Sequence, residues 1–284
     1  MKKPFNLKKF SKYLLSLVGY VLLVAADEFF APFAIPLLIA NVYIGLSPLL
    51  SCALFVAAYL LSLSISVTAV AAMSGAVAAI FFLITNKIGK KPNFSLALIT
   101  AVALAPYVLV RDCHNLTVRL ILAGVCVPLV FVFVSAAKVF LVKGLKYRLS
   151  TDEIVSAAAL FSVASYGAIN LFSAPVYECF AVAAILVSGM IMRRSCCSVT
   201  AIISALPLFF NTENPAFFAP LALYSLVTTC FSPRSKLAAA IGVLAVKVAL
   251  WNFTDVYDGW SFYSQLFIPV SYTHLRAHET GRNL

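Results

Sequence analysis

The first residues that suggest chemistry are two adjacent acids, Asp27 and Glu28, which stand between the apolar runs 13–26 and 29–44. A carboxylate held among apolar segments is costly to ionise, so such residues are candidates for ion or proton sites. The flanking runs are short, and a water-exposed turn would hold the same pair. The sequence therefore leaves two interpretations open, an ion site and an exposed turn.

Two cations, Arg119 and Lys247, stand inside other apolar runs. A cation surrounded by apolar residues can bind an anionic substrate. A long side chain near the end of an apolar helix can instead lay its stem along apolar surface and extend its charge to water. Both residues are candidate polar sites, and the second arrangement is the one we expect.

Residues 150–153 read Ser-Thr-Asp-Glu and precede a further apolar run. In a capping box, a Ser side chain accepts a hydrogen bond from the amide three residues later, and a Glu there accepts one from the amide of the Ser. Ser150 and Glu153 have this spacing and predict the N-terminus of a helix. The basic stretch just before them, 138–148, could meet anionic lipid headgroups.

Histidine and cysteine offer little metal chemistry. His274 and His278 are four residues apart, as helical metal ligands are, but no Glu follows His274 and no third ligand lies near. Both belong to residues 271–284, which resemble a translated sequencing adapter, and we expect this tail to be non-native. The seven cysteines lack a Cys-x-x-Cys motif and predict small apolar side chains.

Sequence motifs for catalysis are also missing. The chain has no phosphate-binding loop, no His-Glu-x-x-His, no Gly-x-Ser-x-Gly and no dinucleotide-binding fingerprint. We therefore assign no catalytic, cofactor-binding or metal-binding residue in this chain.

The elements that hold these residues follow from composition. Of 284 residues, 63% are apolar and 11% are charged, against about 45–50% and about 25% in soluble domains. With a mean hydropathy of +1.00, the chain has too little polar surface for a water-soluble enzyme. Long continuous apolar runs indicate helices, because lipid requires each segment to satisfy its own backbone groups. We predict an all-α, polytopic integral membrane protein whose partner is the lipid bilayer.

Charged residues divide the chain into about 10–12 transmembrane helices, of about 20 residues each where a span is complete. The uncharged block 47–84 is long enough for two of them, with a break expected near 62–66. We assign 1–12 to a basic cytoplasmic tail and 13–270 to the membrane domain, whose last span is truncated. The later runs between charged separators are 94–110, 116–137, 154–172, 176–192, 196–210, 215–230 and 237–253.

Orientation follows from the basic residues, which fall in alternate loops while the acids fall mainly in the others. Cytoplasmic loops carry an excess of Lys and Arg, so we predict a multi-pass protein of a bacterial cell membrane with a cytoplasmic N-terminus. The net charge of +11 thus predicts orientation rather than nucleic-acid binding.

The runs 13–26 and 29–44 can be two spans, a re-entrant pair, or a signal peptide followed by a span. We favour two spans, because removing one would invert every later loop and place the lysines outside.

Three segments are similar to a known family. They read LSTDEIVSAAALFSVASYGA after the basic loop, FFAPLALYSLVTTCFSPRSKLAAAIGVLAVKVALWNF, and ADEFFAPFAIPLLIA near the start. Together they resemble the N-terminal membrane domain of stage II sporulation protein E.

The resemblance implies that this chain anchors and localises a serine phosphatase whose catalytic domain lies outside it. In that family, a metal-dependent phosphatase of the 2C type follows the membrane domain and acts during endospore formation. Mn or Mg is expected only in that missing domain, and septal division proteins are the partners that the family implies. No catalytic residue can be transferred to a position in this chain.

Two other hypotheses remain open at this point. A small-molecule transporter would use the acid pair and the prolines inside spans, because broken helices form binding sites at mid-membrane. A non-catalytic scaffold would self-associate through the small residues of 62–79 and 156–168, which allow close helix packing.

Overall fold

The computed structural model describes residues 7–26, 32–62, 65–88, 92–109, 115–143, 149–191, 194–212, 218–232 and 235–253. The secondary structure in these ranges is helical, with no strand, which confirms the all-α prediction. Residues Asp27 and Glu28 and the tail 271–284 lie outside the described residues, so the expectations for them stay predictions.

Twelve α-helices and one π-helical turn follow one another in the described ranges. They are α1 (Leu7–Val24), α2 (Ala34–Tyr43), α3 (Pro48–Ser62), α4 (Ile65–Ile88), α5 (Pro92–Ala103), α6 (Ala105–Leu109), α7 (Leu116–Lys138), the π-helical turn (Val139–Lys143), α8 (Thr151–Leu171), α9 (Ala174–Ile191), α10 (Arg194–Thr212), α11 (Phe218–Phe231) and α12 (Lys236–Phe253).

Three helical segments are long and apolar enough to cross a membrane, namely Val67–Ile84, Leu116–Lys143 and Thr151–Leu171. Shorter apolar segments of 10–17 residues lie in other helices, among them Phe10–Val24, Val176–Gly189 and Cys196–Asn211. The break expected near 62–66 is present, since α3 ends at Ser62 and α4 begins at Ile65. The first helix begins at Leu7, so part of the expected basic tail is already helical.

The chain divides into two compact units, Met1–Asn170 and Leu171–Leu284. In the first unit α2 is central: it packs against α1, α3, α5 and α7, and residues 34–41 are all buried. An aromatic row joins α1 to α3, with Phe55 edge-on to Tyr20 at 5.8 Å and to Tyr59 at 5.0 Å between ring centroids.

Helix α2 is shorter than the span favoured for 29–44, because it begins at Ala34; its end at Tyr43 agrees with the predicted run. Its 10 residues are about 15 Å long, half of a hydrocarbon core of about 30 Å. The helix ends because Gly45 has a φ of +102°, and the amides of Gly45 and Leu46 donate to the carbonyls of Val42 and Asn41 at 3.1 Å. This Schellman arrangement closes the C-terminus of the helix.

The run predicted as one span over 94–110 is divided into α5 and α6 at Leu104. Pro106 lacks the amide that would donate to the carbonyl of residue 102, and its ring crowds that carbonyl. The backbone hydrogen bonds continue on either side: the Leu104 amide donates to the Thr100 carbonyl at 3.0 Å, and the Val108 amide donates to the Leu104 carbonyl at 3.1 Å. A proline therefore explains the interruption.

Helix α8 packs on α1 within the first unit through a glycine. A Cβ atom at Gly167 would overlap the backbone carbonyl of Leu22, so only glycine fits there. The side-chain amide of Asn170 also donates to the Ala25 carbonyl at 2.9 Å. Part of the small-residue segment 156–168, expected to support self-association, is thus occupied by α1.

In the second unit α11 packs against α9, α10 and α12. Glycines again allow close approach, because a Cβ at Gly189 would overlap Thr228 and one at Gly242 would overlap Val227. The Ser232 hydroxyl donates to the Gly189 carbonyl at 3.0 Å. This unit is a helical bundle held by small-residue contacts and a few polar bonds.

Candidate functional site

The second unit contains a buried ion pair between two of its helices. Lys247 of α12 places its Nζ atom 3.3 Å from Oε1 of Glu178 on α9, and the two side chains are 5% and 4% exposed. Removal of either partner would leave an uncompensated charge in the apolar interior. The two groups therefore neutralise each other inside an apolar bundle.

Lys247 was a candidate polar site from the sequence, whereas Glu178, inside the apolar run 176–192, was not. The two residues are 69 positions apart, and neither periodicity nor local motif joins them. We expected the Lys247 ammonium to reach water, whereas in the structure it meets a carboxylate. Glu178 lies near the start of the run 176–192 and Lys247 toward the end of the run 237–253. The predicted alternation of loops puts both of these ends on the side opposite the basic loops, which is the one signal that could have suggested the pair.

Arg119, the other candidate cation, has a structural contact in the first unit. It lies in the first turns of α7 and is 6% exposed, and its Nη1 atom donates to the Val108 carbonyl at 2.6 Å. Val108 stands near the end of α6, where backbone carbonyls lack helical partners. The guanidinium thus caps the end of one helix from the start of the next.

The structure contains both hydrogen bonds of a capping box at the start of α8. The Ser150 amide donates to Oε2 of Glu153 at 3.1 Å, and the Glu153 amide donates to Oγ of Ser150 at 3.3 Å. Lys143, the last residue of the π-helical turn, also pairs with Glu153. These polar contacts join the end of the helical segment Leu116–Lys143 to the start of α8. Both segments are long and apolar enough to cross a membrane.

A polar contact in the first unit was not anticipated from sequence. The side-chain amide of Asn41, on α2, donates to the Tyr20 hydroxyl of α1 at 2.8 Å. Both side chains are almost fully buried, and the Tyr13 hydroxyl nearby accepts a bond from the Ser47 amide at 3.2 Å. The signal available was a lone Asn inside an apolar run, which costs free energy unless it is hydrogen-bonded.

No group of three or more His, Cys, Asp or Glu side chains in the described ranges could hold a metal ion. The described cysteines are unbridged, and four are buried, which fits small apolar packing; they are Cys126, Cys179, Cys196 and Cys197. The arrangement of polar groups across the described helices neutralises charge and caps helix ends. It does not bring a nucleophile, a base and a substrate-sized opening together.

Comparison with known proteins gives no relative: no family model, no curated protein and no solved structure matches the chain.

Proposed function

We propose that this chain is a non-catalytic membrane domain that anchors and localises a stage II sporulation protein E-like serine phosphatase. The observation that carries the membrane part of the proposal is the apolar exterior of the helices. The sporulation part is supported by the three sequence segments that resemble the family.

Large apolar side chains project from the helices in both units. The Leu49, Leu61 and Leu109 side chains are 81%, 74% and 80% exposed, and Ile202 and Phe210 of the second unit are 57% and 61% exposed. A soluble monomer rarely leaves large contiguous apolar patches in water. In a bilayer the same faces contact acyl chains at no such cost.

The polar groups show the complementary pattern. Glu178 and Lys247 are buried against each other, and Asn41 is buried against Tyr20. Ionisable side chains within membrane domains face the interior of the bundle and pair there. Apolar side chains on the outside and paired polar side chains on the inside are the arrangement expected of a lipid-embedded helical domain.

The proposed orientation is multi-pass, with the N-terminus in the cytoplasm of a bacterium. It is supported by the alternation of basic and acidic loops in the sequence. Lys138, at the end of α7, and Lys143, at the end of the π-helical turn, are both exposed and belong to the basic stretch assigned to the cytoplasmic face. There they would meet anionic headgroups, which attract such residues.

Localisation of the full chain tests the proposal. A fluorescent protein is joined to the N-terminus and the fusion is expressed in an endospore-forming bacterium at the onset of sporulation. We expect fluorescence that resists an alkaline carbonate wash and concentrates at the division septum. Release by carbonate would contradict the membrane part, and uniform fluorescence around the cell would contradict the localisation part.

A further inference from the structure

The first unit contains a partly open apolar cavity of about 140 Å³ between α1, α2, α8 and the π-helical end of α7. Its walls include Leu37, Phe140, Phe161 and Ala164, and among the described residues no charged side chain lines it. An engineered apolar cavity of about 150 Å³ stays dry and binds benzene. The cavity is therefore large enough for one ring or the end of a hydrocarbon chain.

One polar group in the wall has unused hydrogen-bonding capacity. Asn41 lines the cavity and is 1% exposed. While its Nδ2 atom donates to Tyr20, its Oδ1 atom has no hydrogen-bond partner among the described residues. A buried acceptor without a partner costs free energy that a ligand hydroxyl could recover.

The other polar wall residue, Ser16, already has a local partner, because its hydroxyl donates to the Lys12 carbonyl at 2.9 Å. The wall therefore offers one polar position in an apolar surface, and a hydroxyl suits it because this group both donates and accepts. A carboxylate is disfavoured, since no cation faces the cavity to compensate its desolvation.

The rim indicates the route of entry. Leu15 and Val18 of α1 line the cavity and are 45% and 44% exposed. If the helices are embedded in lipid, these side chains face acyl chains, so a molecule dissolved in the bilayer enters sideways between α1 and α8.

We infer that this cavity binds a neutral amphiphile, a hydrocarbon chain or ring with a single hydroxyl that pairs with the Asn41 amide. The inference does not depend on the anchoring role. Ligand binding and septal localisation are measured separately, so either can fail while the other holds.

Photolabelling of the full chain tests the site without any substitution. The protein is reconstituted in phosphatidylcholine nanodiscs and irradiated with a diazirine derivative of octanol, and labelled residues are identified by mass spectrometry. We expect saturable labelling on α1, α2 and α8 at the cavity wall, which 1-octanol prevents and n-octane leaves largely intact. Labelling spread evenly over exposed helix faces, or equal competition by n-octane, would overturn the proposal.

Three substitutions test the cavity volume and the polar wall residue. Ala164→Phe fills the cavity and should abolish saturable labelling, whereas Ala159→Phe, on the same helix but outside the lining, should not. Asn41→Leu should weaken 1-octanol competition roughly three- to tenfold, the range that one neutral hydrogen bond supplies. Each variant is first shown to be monodisperse by size-exclusion chromatography, and unchanged competition in a monodisperse Asn41→Leu protein would overturn the assignment of the hydroxyl.

Discussion

Glu178 on α9 and Lys247 on α12 form a buried ion pair 3.3 Å long, although 69 residues separate them in the chain. Each charge would be costly in the apolar interior without an opposite charge beside it. The pair favours one face of α12 against α9, since a rotation of either helix would separate the two charges.

Removing one partner of this pair should destabilise the protein strongly. We expect Lys247→Met or Glu178→Gln alone to lower the free energy of unfolding by about 3–5 kcal/mol, because the remaining group is left buried without its partner. The double variant should recover part of the loss. Unfolding in detergent micelles measures this, with Lys236→Met at the start of α12 as the control; equal losses in control and single variants would contradict the prediction.

The contact of Gly167 with Leu22 gives a second prediction. Gly167→Ala should force α8 away from α1, because the added Cβ would overlap the carbonyl of Leu22, whose position is set by the backbone of α1. Overpacking of this kind typically costs about 1–3 kcal/mol, and occasionally more. The same unfolding assay measures the loss.

Gly124 supplies a matched control for Gly167, since it also lies within a helix, in α7, and a Cβ there meets nothing within 4 Å. Gly124→Ala should be neutral or stabilising by up to about 1 kcal/mol, because Ala has the higher helix propensity. Equal effects of the two substitutions would show that the close α1 and α8 contact does not exist.

The sequence predicted local features well and long-range pairings poorly. The helix start at Ser150 and the break between Ser62 and Ile65 follow from neighbouring residues, whose chemistry is local. The partners Glu178 and Asn41 escaped prediction because each is defined by another helix. The end of α2 at Tyr43 agrees with the predicted run 29–44, whereas its start at Ala34, inside that run, was not predicted.

The end of α2 provides a third prediction. Gly45→Ala should destabilise the protein by about 1 kcal/mol, since a φ of +102° is strained for a residue with a Cβ. Gly45→Asn should cost less, because Asn adopts left-handed conformations more readily. Thermal unfolding of the two variants checks the order, and an Ala variant as stable as the Asn variant would contradict it.

The capping box at the start of α8 gives a fourth prediction. Ser150→Ala should cost about 1 kcal/mol through loss of the cap. Glu153→Gln keeps an acceptor for the Ser150 amide but loses the charge that faces Lys143, so its smaller effect should diminish as salt is added. Unfolding of both variants at low and high ionic strength distinguishes loss of the cap from loss of the charge pair. A salt-independent loss of stability in Glu153→Gln would contradict a role for its charge beside Lys143.

The orientation of the basic loops tests the membrane account most directly. Intact cells that express the full chain are treated with an impermeant amine-reactive biotin ester, as are inside-out vesicles, and the modified lysines are identified by mass spectrometry. The account predicts that Lys90, Lys138 and Lys143 are modified in the vesicles and protected in the cells. Modification of these lysines from outside intact cells would contradict it.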